Sequence, residues 1–392
     1  MGNFINEEHS AVRVLENLIT KAIKNRVSDI HLEPKESAIR VRFRIDGILY
    51  HDSILELEIG GQVLSRIKVL AHLDVSEKRI PQDGKFLFSY TNISEIIYNL
   101  DLRVSTFPTT LGEKIVIRLL NVEQVNLILE NLGFEPEMLD KIKTIVKSCG
   151  GFFLVTGPTG SGKTTTLHAM LKAVNCIEKN VCTLEDPVEY HINEITQGQV
   201  YPDIGFGFET GIRALLRQDP DIIMVGEIRD KETAKVAIKS ALTGHFVLST
   251  LHTNDAPGAL VRLLDMDIEH YLINSALTGI LAQRLVRKLC ENCKFKRILT
   301  HSELSLNNIK SLKYIYEANG CENCSGTGYK GRIGIFQLLL TTDKLKALVC
   351  ESPSLDKIYL QALVDGMESL MDDAVKKLAQ GVTSLREILR VL

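Results

Sequence analysis

The sequence predicts an α/β protein in which a small N-terminal α+β domain precedes a doubly wound α/β domain with a helical C-terminal part. Three patterns carry that prediction. Apolar residues alternate with charged ones through the first third, short wholly apolar runs alternate with helical segments through the middle, and helical spacing dominates the last sixty residues. The 392 residues allow two or three domains of roughly 150 residues each.

The N-terminal elements follow in order. Val12, Leu15, Leu18, Ile19, Ala22 and Ile23 recur at helical spacing. Ile39, Val41, Phe43 and Ile45 alternate with Arg40, Arg42 and Arg44, which predicts a half-buried strand with one basic face. Asp46-Gly47 and then Ile48-Leu49-Tyr50 signal a hairpin. A second Asp-Gly pair, Asp83-Gly84, precedes Phe86, Phe88 and Tyr90 at period two. Tyr98, Leu100, Leu102 and Val104 form another strand pattern, and Leu111-Gly112-Glu113 turns into Ile115-Val116-Ile117. The expected first domain is 1–122. A polar link around Asn121 to Asn126 opens a linker, 123–130, and the second domain is 131–392.

In that second domain, helical spacing returns from Met138 to Val146. Gly150-Gly151 then breaks into Phe152-Phe153-Leu154-Val155, a run suited to a central parallel strand. Directly after it comes Gly157-Pro158-Thr159-Gly160-Ser161-Gly162-Lys163-Thr164, with Thr165, Leu167, Met170 and Leu171 continuing into a helix. This is a phosphate-binding P-loop for ATP and Mg²⁺. Its glycines let backbone N–H groups turn toward phosphate oxygens, and the helix N-terminus adds partial positive charge. Lys163 is placed to reach the β- and γ-phosphates and Thr164 to ligate Mg²⁺. No guanine-reading N-K-x-D follows, which favours ATP over GTP.

Two acidic stations complete the pattern. Val181 to Leu184 ends in Glu185-Asp186-Pro187, and Asp221 to Val225 ends in Gly226-Glu227. Ligands of open α/β sheets lie at the carboxyl ends of strands. One carboxylate would serve the Mg²⁺ shell and the other the attacking water, with both assignments of Glu185 and Glu227 open. A third apolar strand, Phe246 to Leu251, is flanked by His245 and His252, either of which could sense the γ-phosphate.

Of eight cysteines, Cys149, Cys176, Cys182 and Cys350 are scattered and read as ordinary reduced residues. Cys290-x-x-Cys293 and Cys321-x-x-Cys324 form two knuckles suited to a structural tetrahedral Zn²⁺. Their long separation predicts a loop-like insertion, 288–332, before a helical part, 340–392. The net charge of -3 gives no case for wholesale nucleic-acid binding. No run of 18 apolar residues and no signal peptide is present, so a cytoplasmic protein is expected.

Several motifs together resemble one family: the secretion ATPases that drive type II secretion, type IV pilus assembly and competence pseudopili. Ser28 to Pro34, Arg42 to Gly47, Arg79 to Gly84, Asp101 to Thr106 and Gly112-Glu113-Lys114 match its N-terminal signatures. Thr183 to Glu189 resembles its Asp box and Gly226 to Asp230 its Walker B motif. Thr243-Gly244-His245 through Ala256 resembles its His box. The paired knuckles match its zinc-bearing assembly and secretion branches, and Gly328 to Arg332 follows as in those members. The resemblance implies a PAS-like N-terminal domain, a RecA-like core and a homo-hexamer with ATP held between domains. Arg103 and Arg118 then match arginines that reach the nucleotide, and Arg40, Arg42, Arg44 and Asp46 would serve domain or subunit contacts. It further implies a motor at the inner face of the cytoplasmic membrane. There it would act on an inner-membrane platform protein and other assembly components, associating with the membrane through partners and without direct nucleic acid. Two departures stand out. Gln337 replaces the family's usual Glu, with little effect expected, and the chain starts almost at the ATPase module, as a short or trimmed member would. The competing functions are a nucleic-acid translocase on the same core and a non-hydrolysing ATP-binding scaffold.

Overall fold

The computed structural model describes residues 10–91, 97–119, 128–148, 150–174, 177–189, 191–300, 312–351 and 353–392, with Glu303 and Ile309. The expected link at Asn121 to Asn126, together with Cys149 and Cys176, lies outside the described residues. The chain divides into two compact units, Met1–Val125 and Asn126–Leu392.

Among the described residues, the first unit is a six-stranded antiparallel sheet with two helices. Its elements are α1 (Ala11–Lys24), β1 (Val27–Pro34), β2 (Ala38–Ile45), β3 (Ile48–Glu56), α2 (Leu57–Leu70), β4 (Gln82–Thr91), β5 (Ile97–Thr109) and β6 (Gly112–Leu119). The strand order is β3-β2-β1-β6-β5-β4. Leu15, Leu18, Ile19 and Ala22 of α1 are buried, while Val12 is exposed. The helix starts at Ser10, whose hydroxyl caps the Arg13 N–H. Ile39, Val41 and Phe43 enter the core with Val63 and Ile67 of α2.

The two Asp-Gly pairs have different fates. Asp46 and Gly47, both at positive φ, turn β2 into β3. Gly84 instead lies inside β4, where a Cβ would come within 2.4 Å of the Ala71 carbonyl oxygen. The glycine there answers a close backbone approach, not a turn.

The arginines of β2 are engaged within their own sheet. Arg40 and Arg42 bind the buried Glu33 at 2.7 and 2.5 Å, and Arg44 lies 3.6 Å from Asp29. Burial alone would raise the Glu33 carboxyl, but hydrogen bonds from Arg42, Arg40 and Lys114 outweigh it and hold it at about 2.

The second unit contains α3 (Pro136–Ser148), β7 (Gly151–Thr156), α4 (Lys163–Lys172), β8 (Val181–Glu185), β9 (Thr196–Gln199), α5 (Phe208–Leu215), β10 (Ile222–Val225) and α6 (Lys231–Leu242). It continues with β11 (Phe246–Leu251), α7 (Ala256–Asp265), α8 (His270–Ala276) and β12 (Leu277–Leu289). Then come β13 (Phe295–Ile298), β14 (Tyr314–Glu317), β15 (Tyr329–Leu340), α9 (Asp343–Val349), α10 (Leu355–Val364), α11 (Leu370–Ala379) and α12 (Leu385–Val391).

Seven strands form one sheet in the order β15-β12-β7-β11-β10-β8-β9, parallel except for the β12–β15 pair. Helices cover both faces, which is why β7, β8, β10 and β11 are almost wholly buried. On one face Phe153, Val155, Val181, Met224 and Leu248 pack with Leu167, Met170 and Leu171 of α4. On the other, Phe152, Leu154, Leu184, Ile223 and Val247 pack under α5 to α8. Each such side chain stabilises the fold by about 1.5–3 kcal/mol on burial. Within the span between the knuckles, β13 and β14 pair as a two-stranded sheet, so part of that insertion is regular structure.

Candidate active site and metal centre

The P-loop follows β7 and ends at the N-terminus of α4. Gly157 has φ 149°, and a Cβ there would lie 2.4 Å from the Gln283 carbonyl oxygen. Any larger residue would push the loop off β12. Gln283, buried on β12, donates to the Ser161 carbonyl oxygen at 2.7 Å and accepts from Thr166 Oγ1 at 2.8 Å. It braces the loop and its helix at once. Lys163 Nζ donates to the Gly157 and Pro158 carbonyl oxygens at 2.8 and 3.2 Å. Burial pushes its ammonium down to about 8, with Glu227 opposing and Arg284 reinforcing that shift. Added negative charge beside the loop would hold this lysine protonated.

A cavity of about 350 Å³ opens beside the loop, lined by residues 159–165 with Glu185, Asp186, Glu227, His252 and Arg332. Another, of about 440 Å³, lies against α3 and the end of β15 and holds no phosphate-binding loop.

The two acidic strand ends differ. Gly226 N donates to Leu184 O at 2.8 Å, so β8 and β10 stop side by side. Glu185 is turned inward, with its side chain 4% exposed. It accepts from Thr183 Oγ1 at 2.7 Å, Gln197 Nε2 at 3.0 Å and His168 Nε2 at 3.3 Å. Burial pushes its carboxyl up, but these three donors prevail and hold it below the ordinary carboxylate value. Glu227 lines the cavity, its side chain 19% exposed, between Arg229 and His252. His252 Nε2 lies 3.2 Å from Glu227 Oε2, and Arg229 also reaches Asp186 at 3.3 Å. The backbone under Glu227 is fixed to β11: Thr250 Oγ1 donates to Gly226 O at 2.8 Å and Ile228 N to Thr250 O at 3.0 Å.

The structure does not bring His245 to this cavity. Phe246 pairs with Gly151 and Leu251 with Thr156, so His245 precedes β11 at the end away from the P-loop. Six strand residues span about 20 Å. Its Nδ1 lies 2.9 Å from Ser240 O, closing the turn after α6. Of the two histidines, only His252 lines the cavity.

Neighbouring motif acids serve as helix caps. Asp230 accepts from Thr233 N at 2.7 Å and Asp255 from Gly258 N at 2.7 Å, starting α6 and α7. Gln337 accepts from Ala256 N at 2.9 Å, also at the start of α7. A glutamate would offer the same acceptor.

Arg103 and Arg118 belong to the first unit, where they face each other across β5 and β6. Arg118 Nε donates to Asp29 Oδ1 at 3.0 Å.

Sequence reasoning missed His168, Gln197, Gln283 and Arg284. Arg284 donates to Asn254 O at 2.9 Å, tying β12 to the loop after β11. The first three are buried or half-buried polar residues inside regular elements, and only tertiary contacts give them meaning.

The four knuckle cysteines converge. Their sulfur atoms all lie within 4.8 Å of one another. Cys290–Cys321, Cys321–Cys324 and Cys293–Cys324 are separated by 3.8, 3.8 and 3.9 Å. Four sulfurs around Zn²⁺ at about 2.3 Å would stand about 3.8 Å apart, so the donor set fits that ion. Cys321 N and Gly328 N donate to Cys324 Sγ at 3.2 and 3.1 Å, supporting a thiolate there.

Fold and site define the class: this is a P-loop ATPase in which an N-terminal sheet domain precedes a RecA-like core in the sequence. A family model described as "Type II/IV secretion system protein" matches residues 5–390, and the chain belongs to that family. It is 44% identical over 97% of its length to the type IV pilus assembly ATPase PilB of Myxococcus xanthus, covering 68% of that protein. It is also 44% identical over 97% of its length to the type II secretion system ATPase E of Vibrio cholerae, covering 75% of it. Among solved structures it resembles the pilus retraction motor PilT with bound ADP. That match has a TM-score of 0.62 and 25% identity and covers 96% of each chain. Among the described residues, no helix is long and apolar enough to cross a membrane.

Proposed function

We propose that this ATPase is the motor for assembling a pilus or pseudopilus, in type II secretion, pilus extension or DNA uptake. It would act as a homo-hexamer at the cytoplasmic face of the inner membrane, against a membrane platform protein. The names and identities of its relatives support this reading. The observation that carries the chemistry is the juxtaposition of the P-loop, Asp186, Glu227 and His252 around one cavity.

Lys163 and the amides of residues 159–165 hold the triphosphate, and the N-terminus of α4 stabilises its charge. Thr164, with Asp186 nearby, would hold Mg²⁺, which neutralises charge developing on the phosphates. Glu227, accessible and uncommitted to a buried network, takes the proton from the attacking water. The water oxygen bonds to the γ-phosphorus as the bond to the β–γ bridging oxygen breaks, giving ADP and phosphate. His252 orients Glu227. Cys290, Cys293, Cys321 and Cys324 hold a structural Zn²⁺ that closes the insertion.

Lys163→Ala tests the nucleotide site: loss of both ATP binding and hydrolysis is expected, and unchanged hydrolysis would overturn it. Metal analysis of reduced protein should find one zinc per chain, abolished by Cys293→Ser. Sizing with a non-hydrolysable ATP analogue should give hexamers, and a persistent monomer contradicts the motor reading.

A further inference from the structure

Glu185 closes β8 and its side chain shares a face with Val181 and Thr183, the face covered by α4. Cys182 and Leu184 alternate to the other side, where Leu184 joins the opposite core. Thr183 is the register partner of Gln197 on β9, so both side chains arrive next to the same carboxylate. The third donor comes from elsewhere. His168, wholly buried on α4, reaches Glu185 Oε2 through Nε2. An ionised carboxylate only accepts, so the ring carries a proton on Nε2.

The position of His168 gives this bond its significance. α4 opens with Lys163 and Thr164, and His168 lies one turn beyond Thr164. In the sheet, β11 and β10 separate β7 from β8, so no backbone ladder joins the P-loop strand directly to Glu185. The His168–Glu185 bond crosses that gap from helix to strand end. We propose that His168 is a positioning residue for ATP hydrolysis: its Nε2–H fixes Glu185, and with it the Glu185-Asp186 turn, relative to the phosphate-binding end of α4. This rests on Glu185 belonging to the hydrolytic site.

The test compares His168→Leu, His168→Gln, Glu185→Gln and the double variant His168→Leu/Glu185→Gln, each checked by thermal unfolding. His168→Leu should lower kcat about tenfold with the Kd for an ATP analogue within about twofold, because misplacement affects the reacting geometry more than binding. His168→Gln keeps an N–H donor and should recover most of the loss. In the Glu185→Gln background, His168→Leu should cost less than about twofold more, since both changes remove one interaction. Wild-type kcat in folded His168→Leu, a glutamine no better than leucine, or multiplying losses in the double variant would overturn the proposal. Wild-type turnover in Glu185→Gln would instead sink the reading of Glu185, and the proposal with it. Should His168→Leu fail to fold, His168→Asn, whose shorter side chain does not reach Glu185, replaces it in the comparison. The same loss of kcat at unchanged analogue affinity supports the proposal, and wild-type kcat refutes it.

Discussion

The ends of β8 and β10 carry a similar local signature, a glutamate at or just past the end of a buried strand, and the fold gives the two carboxylates opposite surroundings. Glu185 is sunk among three donors from β8, β9 and α4. Glu227 lines the cavity, partly exposed, beside an exposed arginine and a half-exposed histidine. A base must reach water and release its proton, whereas a carboxylate saturated with buried hydrogen bonds is a fixed point. Neighbouring donors, more than position along the strand, divide the work between them.

The largest effect expected is on Glu227→Gln. Losing a general base lowers kcat by about 10³-fold, with nucleotide affinity nearly unchanged in a binding assay. A loss of affinity with kcat preserved would break the contrast.

Glu185→Gln comes next. It keeps the shape but places a donor among donors, so turnover should fall and stability should drop by about 1–3 kcal/mol in urea unfolding. The pH dependence has a definite sign. The folded carboxyl lies below its ordinary value of 4.5, so its contribution is present above that pH and lost as pH falls through the lower folded value. The variant's stability curve should therefore be flatter than wild type on the acid side.

Arg229→Ala removes an exposed partner of Glu227 and Asp186. Surface ion pairs contribute about 0–1 kcal/mol, so stability should barely move and kcat should stay within about threefold. A collapse of turnover would give Arg229 a chemical role. The smallest effect belongs to His245→Ala. At the far end of β11 it should leave kcat within experimental error and cost about 1 kcal/mol from its turn. A large loss of kcat would contradict that placement.

Much of this was legible locally. The P-loop, the apolar strands and the paired knuckles are contiguous patterns whose spacing implies their chemistry. The resemblance to secretion ATPases rested on such runs, and the family match bears it out. The two histidines flanking β11 could have been separated by strand direction alone, since ligands gather at carboxyl ends and only His252 follows its strand. Asp83-Gly84 carries a turn signature and lies in a strand because Ala71, far away in sequence, demands the glycine. His168 and Gln283 were invisible for a related reason. Each lies in a regular element, and its partner stands 17 or more residues away.

The division of labour between the two glutamates is tested most directly by unfolding Glu185→Gln and Glu227→Gln side by side in urea at neutral pH, with single-turnover hydrolysis measured on the same samples. Glu185→Gln should lose stability while Glu227→Gln stays within about 0.5 kcal/mol of wild type and shows the greater loss of hydrolysis. A destabilised Glu227→Gln that still hydrolyses ATP, beside a fully stable Glu185→Gln that does not, would contradict it.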